Sequence, residues 1–347
     1  MAAAVEFLIV GQGLAGTALA WELIWRGREV LVVDPGEEVT SSRIAAGLVT
    51  PITGQRLALG WRVDEMLEAA RPFYSRAVSE LGAVHFHPRV VRRIFRDATE
   101  AALWEKRRED PARRVHIARD RVAEAGPFGG CEFFGAQLDT SGYLEASRDA
   151  FRRRGALLES HLDPEQAAAW PARVVIFCQG YEAAKNPFFS WIRWRAAKGE
   201  ILTLRLAGLE PGTILSAGQW LAPDPSTAVA SMPAAPGRNS ARTGSTYDWD
   251  TLDTRPTEAA RATLEAGLAR LHGGPFEVTG HRAAVRPIIC ESRAVIGRHP
   301  GREKLAFFNG LGSKGSLHAP FFARQLAAHL VDGTPLEESS DLRRNGG

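Results

Sequence analysis

Cysteine is scarce in this chain. Cys131, Cys178 and Cys290 are the only three in 347 residues, and none are spaced C-x-x-C. An odd set without that spacing argues against a disulfide framework or a zinc site and fits a reducing cytoplasm. Charge of one sign is lacking too. Lys and Arg number 43 against 40 Asp and Glu, a net charge of +3. That mild excess neither demands nor excludes a nucleic-acid partner. No apolar run reaches the roughly 20 residues of a membrane span. The opening MAAAVEFLIVGQGLAGTALA lacks the basic stretch of a secretory signal, and cleavage would destroy its glycine loop. Solenoid repeats and low-complexity tracts are also missing. A soluble cytoplasmic protein is expected.

What is present is ordinary for a globular protein: 45% hydrophobic and 24% charged residues. At this length a single core usually splits, so two domains are expected. Glu6–Val10 reads as a buried strand, Leu14–Arg26 as a helix and Val30–Asp34 as the next strand, a βαβ start. Val63–Leu81, Leu103–Arg121, Tyr143–Arg154, Pro256–Leu271 and Ser316–Val331 read as helices. Val84–Ile94, Ala156–Ser160, Val174–Cys178, Glu200–Leu206, Trp220–Met232 and Leu305–Asn309 read as extended.

Between the first strand and helix stand Gly11, Gly13 and Gly16, spelling G-x-G-x-x-G with Leu14 and Ala15 inside it. Gly11 allows the turn, Gly13 lets the backbone approach a pyrophosphate, and Gly16 lets the helix pack on the strand. The helix start then offers N–H groups and a positive dipole end to phosphate. Asp34 ends the second strand, where a carboxylate reaches ribose hydroxyls. Gly310, Gly312 and Gly315 repeat the spacing near the other end of the chain. No further strand-and-acid unit follows them, so this second loop is not a complete second dinucleotide site.

The run TSSRIAAGLVTPITGQ over 40–55 is rich in small residues, which suit a flat ring lying against backbone. From here the chain resembles the D-amino-acid-oxidase-like family of FAD-dependent amine oxidases, which includes glycine oxidase and sarcosine oxidase. The resemblance recurs at 138–158, at VVIFCQGYEA (174–183), KGEILTL (198–204), GSTYDWD (244–250), AAVRPI (283–288) and NGLGSKGSLHAP (309–320). It implies an α/β fold: a Rossmann-like FAD-binding domain with an inserted α+β substrate domain built on an antiparallel sheet. The FAD-binding domain would comprise 1–80, 138–185 and 282–347, and the substrate domain 81–137 and 186–281.

The resemblance implies non-covalent FAD, with Cys290 a poor match to a flavin-attaching cysteine. It implies that Ser41, Ser42, Arg43, Ala45, Ala46 and Gly47 line the flavin and that Gly180 lets backbone pass near it. It implies that Gly312, Ser313, Lys314, Gly315 and Ser316 meet the flavin end of the same cofactor, so both glycine loops hold one ligand. There the helix dipole, with Lys314, would stabilise charge gained on reduction. Arg286 matches an arginine that grips the substrate carboxylate, a group suited to two parallel hydrogen bonds. Tyr247 reads equally as a phenol offered to the substrate and as a structural tyrosine.

The expected reaction is oxidation of the C–N bond of a small amino acid or N-substituted glycine. Hydride passes to flavin N5, the imine hydrolyses, and no acid–base side chain is required. Oxygen or another acceptor then reoxidises the flavin. Two alternatives stand beside it. GLGSKG and AAGLVTPITGQ also resemble the C-terminal oxidase part of the bifunctional tRNA methylaminomethyl-thiouridine biosynthesis enzyme. That part removes a carboxymethyl group from a wobble uridine; no counterpart of its methyltransferase domain lies within these residues. Arg89–Arg121, with eleven Lys and Arg against six acids, reads first as a solvated face and second as a polyanion surface. The other alternative is a flavin-binding scaffold without turnover. His85 and His87 read as a structural pair rather than metal ligands. Trp191, Trp194, Trp220 and Trp249 read as core packing before an aromatic pocket.

Overall fold

Phe7, Leu8, Ile9 and Val10 are all buried. A run apolar on both faces of its pleat belongs at the centre of a parallel sheet covered on both sides. In the computed structural model, which describes residues 4–225, 239–289 and 293–344, the strand Val5–Val10 lies between Val30–Val33 and Ala172–Phe177. Leu157–Leu158 extends this sheet on one side. Arg302–Asn309, then antiparallel Val295–His299, extend it on the other.

Side-chain alternation sorts the two faces. Phe7, Ile9, Val32, Val174 and Phe308 pack with the helices Leu14–Trp25, Val63–Leu81, Thr140–Arg153 and Gly315–Asp332. Leu8, Val10, Val175 and Phe307 face the other way, onto the short helix Pro164–Ala169 and the turns around Ala183 and Phe189. The parallel strands therefore all point their C-terminal ends to one edge, where such sheets bind ligands.

Among the described residues a second, larger sheet has nine strands. Its backbone is the pairing of Ala197–Leu206 with Phe276–Arg286 and with Asn239–Gly244. Gly130–Leu138 pairs with Phe86–Ile94, which runs parallel to Thr213–Ser216. The helix Glu258–Leu271 covers one part through Leu264, Leu268 and Leu271, and Trp104 fills another.

The structure corrects several local expectations. Leu103–Arg121 is not one helix. Ala98–Arg107 ends before Pro111, a short turn Pro111–Arg114 follows, and Ile117–Arg119 pairs as an edge strand. Proline at 111 starts a helix but cannot continue one, and the sheet edge captures the rest. Trp220–Met232 is a strand only over Trp220–Pro223; residues 226–238, like Cys290, lie outside the described residues. Phe276–Arg286 and Gly130–Leu138 are long strands that the local pattern did not reveal. No helix among the described residues is long and apolar enough to cross a membrane.

Candidate functional site

A cleft of about 1320 Å³ opens where the parallel strands end. Val10, Val33, Cys178 and Asn309, at or just past the C-terminal ends of four strands, form its floor. Gly199, Ile201, Ala284, Val285 and Arg286 of the large sheet form the opposite wall. The volume exceeds the usual 300–1,000 Å³ of a small-ligand pocket, which suits a dinucleotide plus a substrate.

The first glycine loop behaves as its spacing requires. Gly11 has φ +102°, and a Cβ there would lie 2.5 Å from the Cys178 carbonyl oxygen. A Cβ on Gly16 would lie 1.9 Å from the Gly11 oxygen. Gly16 therefore serves helix–strand packing and does not line the cleft, whereas Gly11, Gly13, Leu14 and Ala15 do. Gly13, at the helix N-cap, donates no side-chain cap, and the Leu14 N–H is held by Ser42 Oγ at 3.1 Å.

Asp34 lines the same edge. Its carboxylate accepts the Gln12 N–H at 2.8 Å, the Gly36 N–H at 2.8 Å and Arg148 Nη1 at 2.9 Å. With roughly four acceptor positions on a carboxylate, one remains for a ribose hydroxyl. Arg148 also donates to Gln12 Oε1, the Asp34 carbonyl and Glu159. Arg148 and Gln12 were not among the sequence candidates, yet both are buried and both set the geometry of Asp34.

Ser41, Ser42, Arg43, Ala45, Ala46 and Gly47 all line the cleft. Their backbone is fixed from the helix Thr140–Arg153. Thr140 Oγ1 donates to the Ala45 carbonyl at 2.9 Å and Ser141 Oγ to the Arg43 carbonyl at 2.8 Å. The Arg43 guanidinium turns to Glu145 at 3.1 Å. Gly180 lines the cleft as well, its carbonyl held by Asn309 Nδ2 at 2.8 Å.

The second glycine loop reaches the same cleft through Gly312, Ser313, Lys314, Gly315 and Ser316. Tyr74 Oη donates to the Ser316 carbonyl at 2.7 Å, which anchors the start of Gly315–Asp332. A Cβ on Gly315 would sit 2.9 Å from Leu14 Cδ1, so the two glycine loops touch across about 300 residues of sequence. Burial lowers the Lys314 ammonium from its usual range. Among the described residues no carboxylate pairs with it.

Arg286 ends the strand Phe276–Arg286 and faces the cleft. Its Nη1 donates to the Thr246 carbonyl at 3.1 Å and its Nη2 to Ser245 Oγ at 2.6 Å. The Tyr247 ring lies 4.2 Å from the guanidinium carbon. A Cβ on Gly199 would fall 1.9 Å from Nη2, so glycine at 199 is what admits the guanidinium against its neighbouring strand. Burial lowers the Arg286 pKa, and the electrostatic interaction with Tyr247 opposes that shift. Among the described residues no carboxylate pairs with Arg286 either. Gly312 donates to the Pro287 carbonyl at 3.2 Å, which ties this arginine's segment to the second glycine loop.

Other sequence candidates land elsewhere. Arg92, Arg93, Arg96, Arg108, Arg113, Arg114, Arg119 and Arg121 are ion-paired with acids, so much of the basic 89–121 surface is neutralised locally. Among the described residues no group of His, Cys, Asp and Glu could hold a metal, and His85 faces Asp139. Trp191 packs against Phe189 and His299. Trp194 and Trp220 are partly buried against two of the hydrophobic clusters, and Trp249 is exposed. Trp220 lines the cleft, and Trp194 and Trp249 line a side pocket that shares Tyr181 and Leu252 with it.

The features that a dinucleotide with a flat ring needs are thus together: a helix start at Gly13 over two close-packed glycines, an acid at the second strand, a small-residue wall and a second helix start. Comparison with known proteins agrees. The chain is 31% identical over 93% of its length to the tRNA 5-methylaminomethyl-2-thiouridine biosynthesis bifunctional protein MnmC of Caulobacter vibrioides. It is 29% identical over 94% to the protein of the same name from Maricaulis maris. It spans about half the length of each, 54% and 52%. In fold it matches iminodiacetate oxidase from Chelativorans sp. BNC1 (TM-score 0.74, 19% identity, 96% of both chains). Glycine oxidase from Geobacillus kaustophilus follows with a TM-score of 0.73 at 19% identity, over 96% of this chain and 95% of that one. The model of the FAD-dependent oxidoreductase family DAO covers residues 6–329, and the chain belongs to that family of FAD-dependent enzymes.

Proposed function

We infer that the chain oxidises the C–N bond of a small amino acid or N-substituted glycine. The observation that carries this reading is Arg286, a cation lining the cleft beside the glycine-loop end and bonded only to neutral oxygens among the described residues. A guanidinium has five N–H donors, so those two bonds leave three for a ligand, enough for a bidentate carboxylate. Glycine and iminodiacetate, the compounds in two neighbours' names, each carry a carboxylate one carbon from nitrogen.

When bound, FAD supplies the two-electron acceptor. The chain's own residues bind and orient. Arg286 grips the carboxylate, and Tyr247 covers the guanidinium and limits its access to water. Lys314 and the start of Gly315–Asp332 supply positive potential to the cofactor end of the cleft. The same carboxylate grip fixes which carbon faces the cofactor, so position does most of the work.

A second reading, oxidation of a carboxymethylamino group on a tRNA uridine, is favoured by one feature. From Arg286 a ladder runs outward: Tyr247, then Trp249 at 5.8 Å between centroids, then Arg195 at 5.0 Å from the Trp249 ring. Both rings are about half exposed, and exposed aromatics beside arginine are a platform on which unpaired bases stack. It also accords with the named activity of the curated relatives.

The test is anaerobic flavin bleaching by glycine, sarcosine, iminodiacetate and bulk tRNA, with Arg286→Ala beside the parent. Two charge-assisted bonds are worth roughly 3 kcal/mol together, or about a hundredfold in kcat/KM. Bleaching by a small amine supports the first reading, and bleaching by tRNA alone supports the second. Arg286→Ala that holds FAD and keeps its substrate affinity refutes carboxylate recognition in both.

A further inference from the structure

Lys198 and Glu200 are charged, adjacent in register and almost wholly buried, at 1% and 3% exposure. Buried charges are costly unless bonded, so their partners carry information. Both stand on Ala197–Leu206, flanking Gly199, the residue against which Arg286 lies. Strand alternation sends Gly199 and Ile201 to the cleft and Lys198 and Glu200 to the opposite face.

Through these side chains and their own backbone the two residues stitch down one segment, 245–257, at four points. Glu200 N–H donates to Thr246 Oγ1 at 3.0 Å. The Lys198 backbone exchanges two hydrogen bonds with Asp248, at 2.8 and 3.0 Å. Lys198 Nζ meets Asp253 Oδ1 at 2.7 Å. The Glu200 carboxylate accepts the Thr257 N–H at 2.8 Å and Thr257 Oγ1 at 3.0 Å, and His281 Nε2 lies 2.8 Å from its Oε2. Thr257 also caps the helix Glu258–Leu271, so the far end of the segment is fixed to a rigid element.

This same segment carries the acceptors that, among the described residues, bond the Arg286 guanidinium. Ser245 Oγ and the Thr246 carbonyl accept its N–H groups, and Tyr247 covers it. Leu252, Asp253, Thr254 and Arg255 continue along the cleft wall. We propose that Glu200 and Lys198 are positioning residues for carboxylate recognition. They act through the 245–257 segment on the guanidinium of Arg286 and do not touch the substrate. The inference rests on the reading of Arg286 as the carboxylate ligand.

The test uses FAD-loaded protein and glycolate as a carboxylate probe, titrated by calorimetry. Glu200→Gln keeps the side chain's shape and removes its charge. Asp253→Asn, at a partly exposed acid of the same network, is the variant that leaves the buried charges in place. Each is expected to weaken glycolate binding about tenfold, with FAD content unchanged. For whichever amine bleaches the flavin, KM rises about tenfold and kcat stays within threefold. Acting through Arg286 also predicts non-additivity: Glu200→Gln adds nothing in an Arg286→Ala background. If Arg286→Ala weakens glycolate while Glu200→Gln and Asp253→Asn leave it unchanged, or if the effects add, the positioning role is overturned and the Arg286 reading stands. Should the parent bind no glycolate, or Arg286→Ala bind it as well as the parent, the Arg286 reading fails first and takes this inference with it.

Discussion

Replacing Arg148 by methionine tests whether the ribose end of the cleft is organised from the core. The guanidinium is 3% exposed and donates to Gln12 Oε1, Asp34 Oδ1, the Asp34 carbonyl and Glu159 Oε2 at 2.9–3.1 Å. Methionine fills similar space without charge, so the desolvation cost of the buried cation is returned. Against that, Gln12 Oε1 is orphaned in a buried site, at roughly 1–3 kcal/mol. Asp34 keeps its two backbone donors and replaces the third with water, at roughly 1 kcal/mol. The lost bonds sum to about 2–4 kcal/mol, and with the returned desolvation subtracted the loss in urea unfolding of the apoprotein is expected to fall below that sum. Loosening Asp34 by one bond should also weaken FAD about tenfold, read as recovery of flavin fluorescence on dilution. Asp34→Ala combined with Arg148→Met should cost less than the sum of the two, because both delete one interaction. Unchanged FAD affinity in Arg148→Met, or strict additivity of the pair, refutes the reasoning.

Two further outcomes follow from geometry and burial. Gly16→Ala would place a methyl 1.9 Å from the Gly11 oxygen, so the purified variant should carry no flavin band, and full FAD content would show that the loop relaxes freely. Burial, with the Lys314 charge adding, pushes His318 down to about 3 from 6.5. The folded imidazole therefore stays neutral while the unfolded chain takes a proton below pH 6.5. Stability present above 6.5 is lost as pH falls toward 3, by up to roughly 1.4 kcal/mol per pH unit. His318→Leu should flatten the fall in urea midpoint between pH 7 and 5, and parallel slopes for parent and variant would sink the assignment.

The parts of the site that were legible in the sequence are those whose geometry is local. Gly11, Gly13, Gly16 and Asp34 sit within one βαβ unit, so their spacing alone fixes their relation. The second glycine loop was legible by itself only as an incomplete site, since it lacked the strand and acid of a separate unit; its partnership with the first was implied by the family resemblance. Arg148 was missed although a signal exists: it stands four residues after Leu144 and three before Phe151, on the buried face of Thr140–Arg153. Among several basic residues it reads as surface until that face is drawn. Gly199, Lys198 and Glu200 could not be read the same way. Their roles depend on which strand lies beside Ala197–Leu206, and Phe276–Arg286 was not recognised as that strand. For Trp194 and Trp249 an aromatic pocket was the second reading, because only the fold brings both to the wall of one pocket.

Among the described residues, two charge pairs with buried members flank the cleft, while Glu132, Asp139 and Asp341 are buried elsewhere. Arg148 with Asp34 stands beside the first glycine loop, and Lys198 with Glu200 stands behind Arg286. Each pair holds a loop, and Asp34 keeps an acceptor position facing the cleft besides. Gln12 and Gly36 are tied to the first, and Thr246, Asp248, Asp253 and Thr257 to the second. Loops that line a binding cleft bury little apolar surface of their own, so packing cannot fix them as it fixes the strands beneath. A buried charge can, because it accepts only arrangements that supply all its partners and penalises every other. The strands place the cleft, and these two pairs place its walls. Substitutions at residues that no ligand touches should therefore appear in ligand affinity before they appear in fold.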